Sequence, residues 1–176
     1  KLNIGEPDFD SANHINEAAI AEIRRGNSHY CDPQGTIGLR EAICAHILHT
    51  RGLHVLPDRV VVTTGGKPGI GFTIQSYANP GDEVIYPSPG FPIYESWITY
   101  AGAKPVPLHL REESGFTFTP DDLAALITPR TRVIFLCSPS NPTGGVLSKD
   151  ELEGIARVIR ERAPSDVRVY SDEIYE

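Results

Sequence analysis

Val133-Ile134-Phe135-Leu136-Cys137, followed directly by Ser138-Pro139-Ser140-Asn141-Pro142-Thr143-Gly144, is the stretch from which the fold is read. Its first part is apolar and β-branched, the composition of a buried parallel strand, and its second part is a proline-rich loop. Val167-Arg168-Val169-Tyr170 and then Ser171-Asp172-Glu173-Ile174-Tyr175 repeat the arrangement. In an open α/β sheet, ligands sit beyond the carboxyl ends of the strands. An amide (Asn141), a carboxylate (Asp172) and a phenol (Tyr175) therefore converge on one edge, a set suited to a planar, polar, nitrogen-containing ring.

Outward from these two strands, helical and strand patterns alternate, which indicates an α/β architecture. His14 to Arg25 carries Ile15, Ala18, Ala19 and Ile23 at helical spacing, and Leu39, Ala42, Ile43 and Ile47 form a second stripe ending near Gly52. Val60 to Thr63 reads as a strand. Gly65-Gly66-Lys67-Pro68 then opens a helix to about Ala78, with Pro68 suited to its first turn. The turn Asn79-Pro80-Gly81-Asp82 leads into a strand over 83–86, and a proline-rich loop precedes a helix from about Ile93 to Tyr100. Lys104 to Leu110 is an edge or irregular strand, because Pro105 and Pro107 remove ladder donors. Thr119-Pro120-Asp121-Asp122 caps a short helix. Ser148-Lys149-Asp150-Glu151 is a capping box for a helix with Leu152, Ile155, Ala156 and Ile159 inward. Val167 to Ser171 is the last strand.

With 176 residues, 40% hydrophobic and 22% charged, the chain has the size and balance of a soluble globular domain with a real core. A formal charge of −7 argues against a nucleic-acid partner, which needs clustered cations. Arg24-Arg25, Arg157, Arg160 and Arg162 fit solvated helix faces. Cys31, Cys44 and Cys137 are odd in number and lack metal or redox spacing, which favours a reducing, cytoplasmic setting. No apolar run approaches membrane-spanning length, so no membrane partner is expected. Lys1-Leu2-Asn3-Ile4-Gly5 resembles mid-protein sequence, and the chain is expected to be a piece of a longer polypeptide.

Several groups carry possible chemistry. Two glycines at the helix start, Gly65 and Gly66, free backbone N–H groups for an anion, although taken alone the pair is better read as a tight strand-to-helix turn. This is not a P-loop: the glycine five residues upstream is missing and Pro68 replaces Ser or Thr. Without a P-loop, Asp172-Glu173 is also a poor metal-holding acid of a nucleotide hydrolase. Asn141 taken alone is read equally as a self-capping turn residue. Asp172, at a strand tip among apolar neighbours, is costly to bury unless paired. His46, His49 and His54 lack a nearby carboxylate or thiolate at compatible spacing, so they read as surface residues and no metal is expected.

Together these pieces resemble the fold-type I, pyridoxal-phosphate-dependent aminotransferases of class I/II. The resemblance runs through Gly5-Glu6-Pro7-Asp8-Phe9, Tyr30 with Gly35 and Leu39-Arg40, Gly65-Gly66-Lys67, Asn79-Pro80-Gly81-Asp82-Glu83-Val84, Pro87-Ser88-Pro89-Gly90-Phe91, the Asn141 loop, and Asp172-Glu173-Ile174-Tyr175. It implies a three-layer α/β/α fold with a mainly parallel sheet, an incomplete large domain over 15–176, and a short small-domain segment over 1–14. It further implies pyridoxal 5′-phosphate as cofactor. The N–H groups of Gly66 and Lys67 would hold the phosphate, Phe91 would stack on the ring, and Asn141 and Tyr175 would bond its phenolic oxygen. Many relatives carry Tyr-Trp where this chain has Gly90-Phe91. Tyr30 would reach the phosphate of a neighbouring subunit in a homodimer, and Gly5 would approach the substrate carboxylate.

Asp172 would face the pyridine nitrogen, because an opposite charge in a desolvated site stabilises the pyridinium. The implied reaction is amino transfer between an amino acid and a 2-oxo acid. The family's Schiff-base lysine lies some thirty residues past the Asp-Glu-x-Tyr segment. None of Lys1, Lys67, Lys104 and Lys149 matches it, so this piece is expected to be inactive alone. A C–S β-lyase with the same cofactor and a cofactor-sensing domain of a transcription regulator are the competing readings.

Overall fold

Runs of β-branched and aromatic residues pair into one parallel sheet made of β1 (Glu83–Ser88), β2 (Lys104–His109), β3 (Thr131–Cys137) and β4 (Arg168–Asp172), in the order β2-β1-β3-β4. This is a computed structural model, and it describes residues 5–175. The chain divides into two compact units, Lys1–Val62 and Thr63–Glu176.

The sheet lies in the second unit, and the twofold period of its strands sorts residues between two cores. Val84 and Tyr86 of β1, with Val133 and Phe135 of β3, pack against α3 (Lys67–Tyr77) and α4 (Ile93–Tyr100) through Ile70, Ile74, Tyr94 and Ile98. On the opposite face Ile85, Leu108 and Ile134 meet α5 (Pro120–Leu126) and α6 (Lys149–Arg162) through Leu123 and Ile155. Each such side chain, fully buried, contributes about 1.5–3 kcal/mol of transfer free energy. The expected three layers are present, and β2 takes the edge that its prolines favour.

The two capped helices begin where their sequences indicate. Thr119 Oγ1 accepts from the Asp122 N–H at 3.2 Å while Asp122 accepts from the Thr119 N–H at 2.8 Å. Ser148 and Glu151 make the same reciprocal pair, at 3.3 and 2.7 Å. Each pair satisfies first-turn donors that have no acceptor within the helix.

Three expectations require correction. Residues 60–63 are not a strand: Val60 is extended, but the Val62 N–H bonds the Gln34 carbonyl at 2.9 Å instead of a ladder partner, and Val61 is exposed. A β-branched run becomes a strand only when another strand satisfies its backbone. β4 is parallel as expected but not buried, since among the described residues it pairs with β3 alone and Val169 is exposed. Leu152 is exposed as well, so Ile155, with Ile159 packed against the same core, carries the inward face of α6.

In the first unit, α1 (Asn13–Arg24) has no buried residue, and α2 (Ile37–Arg51) ends at a left-handed Gly52. The buried Arg40 of α2 ties this unit together. Its guanidinium donates to Gly35 O at 3.1 Å, and to Gln34 Oε1 and Pro57 O at 3.0 Å each.

Candidate active site

Because the strands are parallel, Ser88, Cys137 and Asp172 end β1, β3 and β4 at one edge. From β1 the chain passes through α4 to β2 on one side. From β3 it passes through α6 to β4 on the other side and the opposite face of the sheet. The strand order therefore reverses between the neighbours β1 and β3, the switch point beyond whose carboxyl ends open α/β sheets bind their ligands. The loop after β1 carries Phe91, the loop after β3 carries Asn141, and Asp172 closes the edge one strand further on. α3 leads through the 79–82 turn into the start of β1, so its N-terminus points back to this same edge.

At that N-terminus Gly66 is the N-cap and Lys67 the first helical residue, both exposed. Gly65 has φ +78°, a conformation that favours glycine, and Thr63 Oγ1 donates to its carbonyl at 2.5 Å. Pro68 has no N–H and the Gly69 N–H bonds Gly66 O at 3.1 Å, so the Gly66 and Lys67 N–H groups are the ones this helix start offers, with open space around Gly65 and Gly66.

Asp172 sits opposite Cys137 in the β3–β4 ladder and is half-buried. Tyr94 Oη donates to its Oδ2 at 2.5 Å. Tyr94 is 1% exposed, with its ring 4.9 Å from Phe135 and 6.0 Å, edge-on, from Phe91. Phe135 in turn lies 5.0 Å from Tyr170. Burial, reinforced by the hydrogen bond to Asp172, pushes the Tyr94 phenol far above its ordinary pKa, so it is a permanent donor. Burial also raises the Tyr170 phenol and the Cys137 thiol, the latter against the pull of the Asn141 N–H.

Phe91 is half-buried against the α3/α4 core. Beside it, a Cβ at Gly90 would collide with the Pro87 carbonyl, so this backbone calls for glycine there. The Asn141 loop is held by Ser140 N–H to Gly145 O at 2.9 Å and by Leu147 N–H to Ser138 Oγ at 2.9 Å, and Asn141 is half-buried. Tyr175 lies just past β4 and is exposed. Tyr30 and Gly5 belong to the first unit. Tyr30 is fully exposed there, and a Cβ added at Gly5 would meet nothing within 4 Å.

Sequence reasoning missed Tyr94. It lies in the first turn of α4, three residues after Phe91 of the preceding loop, but nothing local points to a partner 78 residues away. Chemically, the edge offers backbone donors for an anion, an aromatic ring, an amide, and a carboxylate with one oxygen already occupied. These residues fit a flat cationic ring bearing a phosphate. Among the described residues, no group of three or more His, Cys, Asp or Glu side chains is placed to hold a metal, and no helix is long and apolar enough to cross a membrane.

The family model for aminotransferase class I and II matches residues 1–176. The aspartate/prephenate aminotransferase of Thermus thermophilus is 40% identical over 175 residues, covering 99% of this chain and 45% of that protein. The arginine–pyruvate transaminase AruH of Pseudomonas aeruginosa is 38% identical over 174 residues, covering 99% and 44%. Among solved structures, the aspartate aminotransferase from Thermus thermophilus with maleate superposes with a TM-score of 0.94 at 40% identity, covering 99% of this chain and 45% of that one. The chain thus spans about half the length of the curated relatives it matches.

Proposed function

The chain belongs to the class I and II aminotransferases, and from that premise we propose that the full-length protein uses pyridoxal 5′-phosphate to move an amino group from an amino acid to a 2-oxo acid. The observation that carries the proposal is Asp172 at the carboxyl edge, half-buried and bonded to a neutral phenol, at the edge from which the loops bearing Phe91 and Asn141 also leave the sheet.

When bound, the cofactor supplies an electron sink for the pair released as the substrate's α-proton leaves. The chain's own residues place and polarise it. The Gly66 and Lys67 N–H groups hold the phosphate, with the α3 macrodipole favouring the anion. Phe91 supplies an apolar ring face. Asn141 and Tyr175 donate to the phenolic oxygen, and Asp172 faces the pyridine nitrogen and keeps its proton in place. Tyr30 reaches the phosphate of the neighbouring subunit in a cytoplasmic homodimer, and Gly5 leaves room for the substrate carboxylate. The division into a small-domain segment over 1–14 and a large domain over 15–176 belongs to the same proposal. Transaminases with different substrates stand at nearly equal identity, which supports amino transfer over β-elimination or cofactor sensing and leaves the substrate class open.

The test is product analysis. The full-length protein, given pyridoxal 5′-phosphate, an amino acid and a 2-oxo acid, is expected to form the exchanged pair. Pyruvate and a thiol from a cysteine conjugate, without exchange, would establish the lyase instead, and neither reaction would count against an enzyme.

A further inference from the structure

We infer that Tyr94 is a positioning residue for this site: its phenol fixes Asp172 by one oxygen, Oδ2, so that the other is presented to the cofactor ring with the carboxylate's full charge. The inference rests on the assignment of Asp172 to the pyridine nitrogen. Asp172 is the last residue of β4, and its pairing with Cys137 sets its backbone but does not fix how the carboxylate turns. The constraint comes from another element. Tyr94 belongs to α4, is 1% exposed, and is held by Phe135 at 4.9 Å and Phe91 at 6.0 Å. Its hydroxyl therefore has little freedom, and it meets Oδ2 at 2.5 Å.

The choice of donor matters. An arginine or lysine in the same place would orient the acid equally well but would neutralise it, leaving little charge to hold a protonated ring nitrogen. A phenol orients without cancelling. Tyr94 also joins the two sides of the switch point, since α4 follows β1 whereas β4 lies beyond β3. Phe91 sits three residues before Tyr94 and edge-on to it, so the proposed stacking ring and the proposed nitrogen partner share one anchor.

The experiment compares Tyr94→Phe, Asp172→Asn and the double variant in the full-length protein. Thermal melting checks the fold, and two quantities are read: the dissociation constant of pyridoxal 5′-phosphate and the 15N chemical shift of the labelled pyridine nitrogen in the bound cofactor. Tyr94→Phe is expected to melt cooperatively, to weaken cofactor binding about tenfold, the scale of one hydrogen bond to a charged group, and to move the nitrogen signal toward its unprotonated position. In the Asp172→Asn background the same change is expected to add nothing, because Tyr94 acts through that carboxylate. A Tyr94→Phe protein with the wild-type dissociation constant and nitrogen shift would overturn the inference, as would an equal loss in both backgrounds. If Asp172→Asn itself left both quantities unchanged, the assignment of Asp172 would fail, an outcome distinct from failure of Tyr94 alone.

Discussion

Glu83 and Asp172 are carboxylates at opposite ends of one sheet, and their partners differ in kind. Glu83 opens β1 at the amino end and is 2% exposed. Thr128 Oγ1 donates to it at 2.6 Å, Arg130 Nη2 at 2.8 Å and Lys104 Nζ at 3.0 Å, so its charge is neutralised and its oxygens are satisfied. Asp172 ends β4 at the carboxyl end, and among the described residues its hydrogen-bond donor is a phenol, which leaves the charge uncancelled. A carboxylate closed in this way has nothing left to offer a ligand and serves the fold. On the proposed function, Asp172 is an oriented acid left without a countercation so that it can face a cationic ring. The pattern of partners, more than burial, separates a structural acid from a functional one.

The comparison is broken most severely at Asp172. Asp172→Ala in the full-length protein is expected to lower kcat/KM by at least about a hundredfold while its melting temperature stays near that of the parent. Loss of stability with turnover intact would make the two ends alike.

At the other end the effect should fall on stability. Glu83→Ala is expected to destabilise by about 2–3 kcal/mol in denaturant unfolding, below the full cost of a broken buried pair, because water takes up part of the loss at the exposed Lys104 and Arg130. Cofactor affinity should not change. The Thr128 hydrogen bond, against burial and with help from Arg130 and Lys104, holds the Glu83 pKa at about 2, below its ordinary 4.5. Its stabilisation is therefore fully present above about pH 4.5 and is lost as the pH falls toward 2. Glu83→Gln should flatten the melting temperature across that window, and an unchanged slope would detach the acid limb from this cluster.

The smallest effect sharpens the comparison. The capping box of Ser148 lies near the carboxyl edge, yet its groups are mutually satisfied. Ser148→Ala should cost about 1 kcal/mol in denaturant unfolding and leave cofactor affinity unchanged. A weakened affinity would mean that position on the edge, whatever the pairing, confers function.

Much of the second unit was legible residue by residue. Pro105 and Pro107 announced an edge strand, and Thr119 and Ser148 announced helix starts. Pro68 behind two glycines announced the beginning of α3. Each of these signals is an interaction between near neighbours, which local order is enough to set. The strand over 60–63, the buried character of β4 and the inward Leu152 were misread for the opposite reason. A β-branched run or an apolar position states what a segment is able to bury, whereas its partner decides whether it does.

The sequence by itself determined the alternation of strands and helices, the capped starts, and the residue types gathered at one edge of a parallel sheet, because periodicity, capping and strand direction depend on residues close in the chain. Only the tertiary structure decided the order β2-β1-β3-β4 and the switch point it sets. It alone matched Glu83 with Thr128, Arg130 and Lys104, and Asp172 with Tyr94 across 78 residues. A carboxylate accepts from a phenol, a hydroxyl or a cation alike, so its residue type names no partner; packing chooses among them and, with that choice, whether the charge is spent or kept.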